Sequence, residues 1–87
     1  MQEVSKKAVI CRVTGEILKK LRGSQSQFMF SSENDISVSI INTLERGIKD
    51  PQLTTVFKIA EALNMKASEF VKLIEDELPK DFYLIEK

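Results

Sequence analysis

Histidine and tryptophan are absent from this 87-residue chain, and it carries one cysteine, Cys11. A lone thiol closes no internal disulfide, which favours a reducing, cytoplasmic setting. One cysteine and no imidazole leave no material for a zinc site, nor for a Cys–His or Ser–His nucleophilic pair. The adjacent acids Glu75, Asp76 and Glu77 read as a solvated helix face. No enzyme, no catalytic residue, no metal, no cofactor and no small-molecule ligand are therefore expected. No apolar run approaches the roughly 18 residues that a membrane-spanning helix needs. The opening residues lack the apolar segment and small-residue cleavage site of a signal peptide. The length suits one domain without a separate effector domain.

Proline and glycine are scarce as well, two and three residues, so long stretches are free to be helical. Net charge is zero, which gives no general attraction to a polyanion. The distribution is slightly uneven: residues 1–50 hold eight basic and six acidic side chains, and residues 51–87 hold five and seven. This leaves room for a basic face on the first half.

The apolar residues are spaced for five helices and a tail. Ile10, Val13, Ile17, Leu18 and Leu21 form a stripe over about Lys7–Leu21. Val and Ile in this stretch also suit a strand, but the helical period is the better fit. Gly15 weakens that helix by about 1 kcal/mol relative to alanine, and Gly23 caps its end. Cys11 reads as a small buried hydrophobe. Ser26 is an N-cap for a second helix, Gln27–Asn34, with Phe30 inward. Asn34-Asp35 makes a turn, because both residues tolerate the left-handed conformation. Ile36 points inward, and Ser37 caps a third helix, from Val38 to about Arg46, that buries Ile41 and Leu44. Gly47 stops it. Pro51 precedes a fourth helix, about Gln52–Leu63, with Leu53, Val56, Phe57, Ala60 and Leu63 as its stripe and Asn64 as terminator. A fifth runs from about Ala67 to Pro79 on Phe70, Val71, Ile74 and Leu78. The tail concentrates Phe82, Tyr83, Leu84 and Ile85, too apolar for solvent, so it should pack on its own domain or on a partner. The expected organisation is one domain over residues 1–79 and a tail over 80–87 at a dimer surface.

The informative object is the ordered spacing from Gln27 to Gly47. A helix start, a core residue at Phe30, a small residue at Ser31, a turn at Asp35, an inward Ile36, a cap at Ser37 and a second short helix describe a helix-turn-helix. Ser31 lies where the two helices touch, and a large side chain there pries them apart. Phe28 and Met29 are unusual at the start of such a helix. The expected outcome is that the short connection before it rolls the helix and buries one of them; the alternative is an exposed patch for a partner.

Gln27, Ile36-Ser37, Ile41, Leu44-Glu45-Arg46-Gly47, Pro51, Leu53 and the Ile59–Leu63 run resemble the helix-turn-helix domain of Cro and C1 repressors and of XRE-type regulators. The resemblance covers about Gly15–Leu73. It implies an all-α, five-helix, lambda-repressor-like fold that binds double-stranded operator DNA with its third helix in the major groove. Carried over by position, the base-facing residues are Val38, Ser39, Asn42 and Thr43, with Ser37 at the edge. These side chains favour A·T pairs: Asn matches the adenine edge, and Val packs on a thymine methyl. Phosphate contacts fall to Gln27, Arg46 and Lys49. For Arg46, pairing with a nearby acid such as Asp50 is an equal alternative. Glu45 faces no phosphate and should hold a basic residue or the loop backbone. The implied function is a homodimeric transcriptional regulator, with repression the expected sign. The rival is an antitoxin or other protein-interaction module on the same fold. The chain departs from the family pattern at Asp35 (usually Gly), Ser31 (usually Ala), Phe28-Met29 (usually charged) and Lys66 (usually a Ser or Thr cap).

Overall fold

The computed structural model describes residues 5–85. The first four residues of the expected domain and the last two of the expected tail lie outside them. Five helices follow one another: α1 (Lys6–Arg22), α2 (Gln27–Asn34), α3 (Val38–Glu45), α4 (Leu53–Ala62) and α5 (Ala67–Glu77). The described residues contain no strand, so the strand alternative for the Val/Ile-rich part of α1 is discarded.

Local chemistry sets the boundaries. Ser5, Ser26 and Ser37 are extended N-caps whose hydroxyls accept from the backbone N–H groups of Ala8, Met29 and Ile40, each at 3.1 Å. These bonds satisfy donors that a helix start leaves without partners. Ser5 begins α1 one residue earlier than its apolar stripe indicates. The two turns assigned to left-handed residues hold, with φ of 53° at Asp35 and 60° at Asn64. α5 starts at Lys66, which has no side-chain oxygen to cap with. The Glu69 carboxylate instead accepts from the Lys66 N–H at 2.8 Å, which is one half of a capping box.

The core gathers Leu18 from α1, Phe30 from α2, Ile41 and Leu44 from α3, Ile59 from α4 and Phe70 from α5, all essentially inaccessible. α1 packs on α3 and α5, α2 on α3 and α4, and α4 on α5. Cys11 is buried at the edge of this core. Burial, chiefly, and the nearby Asp50 carboxylate push its thiol above the ordinary range, as befits an inert thiol.

Three stripes need correction. On α4, Leu53 and Phe57 are 71% and 50% exposed, and Ile59 is buried in their place. The buried face is Val56, Ile59, Ala60 and Leu63, an i, i+3, i+4, i+7 set; Phe57 stands about 100° round the helix from Val56. Val71 on α5 and Leu21 at the end of α1 also face out.

The α1–α3 seam explains Gly15. A Cβ at this position would sit 2.2 Å from the Leu44 carbonyl oxygen and 2.9 Å from that of Glu45. The glycine lets two backbones touch, which outweighs its low helix propensity. Gly47, with φ +72°, brings the end of α3 against the Arg12 backbone on the same side.

Candidate nucleic-acid interface

α2, the turn at Asp35 and α3 form the helix-turn-helix, and its geometry depends on small side chains. Ser31 is half-buried, and its hydroxyl donates to the Ile36 carbonyl. It therefore joins α2 to the turn while leaving space for α3. Ile36 drops into the core and fixes where α3 begins.

Beneath α3 lies a chain of polar contacts. The Arg22 guanidinium at the end of α1 makes a two-pronged pair with Glu45, Nε to Oε2 at 2.7 Å and Nη2 to Oε1 at 2.8 Å. Both side chains are largely withdrawn from solvent, with 11% and 4% exposed. A third guanidinium N–H donates to the Gln25 carbonyl. The Gln27 amide donates to Glu45 Oε1 at 2.9 Å, and its oxygen accepts from the Asn42 amide at 3.3 Å. Burial, the largest influence, pushes the Glu45 carboxyl up. The hydrogen bonds from Arg22 and Gln27, with the Arg22 and Lys19 charges, more than offset it and leave the group below the ordinary carboxylate range. Glu45 thus holds a basic residue, as its position suggested. That residue is Arg22, at the end of α1, to which the sequence alone assigns no role. An arginine three places after Lys19 and a glutamate far along the chain carry no local signal of pairing.

The residues assigned to base contact lie along α3 and its cap. Asn42, Ser39 and Val38 are exposed. The Ser37 hydroxyl is engaged as the N-cap acceptor. Thr43 is half-buried, and its hydroxyl donates back to the Ser39 and Ile40 carbonyls at 3.0 and 3.1 Å. Among the phosphate candidates, Gln27 is half-buried within the polar chain, whereas Arg46 and Lys49 are exposed. Neither Arg46 nor Lys49 forms an ion pair among the described residues. Asp50, the acid considered for Arg46, lies 3.8 Å from Lys7.

Phe28 and Met29 overturn the expectation that one of them is buried: they are 69% and 47% exposed. Phe30 takes the single inward position of the first turn of α2. Its two predecessors on a helix of about 100° per residue then point away.

This arrangement defines a helix-turn-helix protein. A family model for helix-turn-helix proteins matches residues 16–70, from the middle of α1 to the first turn of α5. The chain belongs to this family, of the Cro/C1 and XRE type, whose members bind DNA. Among curated proteins none matches it. No helix among the described residues is long and apolar enough to cross a membrane.

Proposed function

We propose that the protein is a sequence-specific regulator that binds an operator in double-stranded DNA by placing α3 in the major groove. The observation that carries this reading is the restraint of Asn42. One of its two amide N–H groups is taken by Gln27. The other N–H and the side-chain oxygen are left for the N7 and N6 groups of an adenine, the pairing that suits asparagine. Val38 offers a methyl surface to thymine, and Ser39 a hydroxyl to either base. Ser37 and Thr43 are the weaker members, because their hydroxyls already serve the helix backbone. Gln27 retains one amide N–H for a phosphate oxygen beside the groove, and Arg46 and Lys49 supply charge to the backbone. A homodimer on a pseudo-palindrome, with half-sites about 34 Å apart, follows for a small protein of this kind. The exposed tail residues Tyr83–Ile85 suit its interface, and repression is the simplest outcome of occupying an operator.

The test is selection of random duplex DNA by the purified protein, followed by binding of the enriched pool at two salt concentrations. An enriched A·T-leaning palindrome with salt-dependent affinity supports the reading. A folded protein that enriches nothing overturns it. The exposed Phe28-Met29 pair favours a second reading, a protein-interaction module such as an antitoxin, because an apolar pair at the start of α2 is a protein contact more readily than a phosphate contact.

A further inference from the structure

On the side of the molecule formed by α1, the loop before α4, α5 and the tail lies a cavity of about 580 Å³, a groove open to solvent along the tail. That volume falls in the range of small-molecule sites. Its floor is aliphatic, with Ile10, Val56 and Ile74 among the contributors. Two aromatic side chains, Phe82 and Tyr83, and two carboxylates, Asp50 and Glu75, complete the wall. No lysine or arginine lines it among the described residues. Among the described residues Glu75 makes no ion pair, and Asp50 makes one exposed contact, with Lys7 at 3.8 Å.

We infer that this cavity binds an amphipathic organic cation, an ammonium group carrying an acyl-like or aromatic body. The wall selects each part of such a ligand. Aliphatic side chains remove the body from water, gaining about 25 cal/mol per Å² of apolar area. Phe82 and Tyr83 contribute aromatic rings, whose quadrupoles attract a cation, most strongly one whose own hydration is weak, such as a quaternary ammonium. Glu75 adds a negative potential, and Asp50 a weaker one because Lys7 lies 3.8 Å from it; a carboxylate or phosphate ligand meets this potential as repulsion. A neutral apolar ligand satisfies the floor but gains nothing from the rim. This inference does not rest on the DNA-binding reading, but it competes with a homodimer interface at Tyr83–Ile85, because the same residues line the cavity.

The experiment is a titration of isotope-labelled, full-length protein followed by amide NMR, with decyltrimethylammonium, decanoate and decanol as matched probes. Saturable shifts confined to α5, the tail and residues around Ile10 and Pro51 are expected for the ammonium. Decanoate should produce none, and decanol should bind more weakly than the ammonium. Glu75→Gln and Asp50→Asn, both at exposed positions and so compatible with folding, should each weaken ammonium binding by up to about fivefold and leave decanol unchanged. Equal binding of all three probes, or ammonium binding indifferent to both substitutions, overturns the inference. So does a cavity whose resonances move with protein concentration alone and are not displaced by the ammonium, because a second copy of the chain is then its occupant.

Discussion

The Asn42 amide lies 3.3 Å from the Gln27 side-chain oxygen, and the Gln27 amide lies 2.9 Å from Glu45. The side chain best suited to reading a base is therefore tied to α2 and, through Glu45, to Arg22 at the end of α1. Asn42→Ala should cost about 1–3 kcal/mol on the preferred site and relax selection at one base pair. Gln27→Ala keeps Asn42 but frees its rotamer, so it should blur the same position while weakening DNA binding generally. Arg46→Ala should weaken all sequences alike and reduce the salt dependence by about one counterion. Competition binding against single-base variants of the operator measures all three. Selectivity untouched by Asn42→Ala would remove α3 from the groove.

The Arg22–Glu45 pair predicts acid sensitivity. The Glu45 carboxyl is held below its ordinary value in the folded protein. Its contribution is thus complete above the unfolded carboxyl value of about 4.3 and is lost as pH falls through the lower folded value. Glu45→Gln should lower stability at neutral pH and flatten the acid limb of a plot of melting temperature against pH. Arg22→Ala strands a withdrawn carboxylate and should cost about 3–5 kcal/mol. Denaturant unfolding at pH 7 and below pH 4 reads both effects.

Gly15→Ala should destabilise the protein although alanine is the better helix former by about 1 kcal/mol. The new Cβ meets main-chain carbonyls that cannot rotate aside. A net loss of about 1–3 kcal/mol is expected, typical of overpacking. Alanine tolerated at this position in urea unfolding would mean that the α1–α3 seam opens more easily than its spacing indicates.

Lys66→Ser should raise stability. A serine hydroxyl accepts from the Glu69 N–H while the Glu69 carboxylate keeps its bond to the backbone of residue 66. This completes the reciprocal pair of a capping box, worth about 0.5–1 kcal/mol. The gain should vanish in a Glu69→Ala background, as a double-mutant cycle will show.

The helices were legible because their caps and their periods agree. Ser26, Ser37, Asp35 and Asn64 each carry a local backbone preference, and Phe30, Ile41 and Leu44 repeat at helical spacing. The sequence hid what depends on distant partners. Leu53 and Phe57 satisfy a helical period but stand off the face that α2 and α5 cover, which only the packing decides. Gly15 read as a weak point because the carbonyls it faces belong to residues almost thirty places later. The candidate site divides in the same way. Gln27, Asn42 and Glu45 were marked by position within a known spacing, whereas Arg22 acts through a contact twenty-three residues along the chain.

The seam at Gly15 has a consequence for transplanting this unit. The last turn of α3 rests directly on the first helix, and its Glu45 is gripped by the end of that helix. A graft of residues 27–45 onto another scaffold would carry the side chains that face outward but not the brace that sets their angle. To move that face at its present angle, an engineer would have to take α1 along, beginning at Ser5.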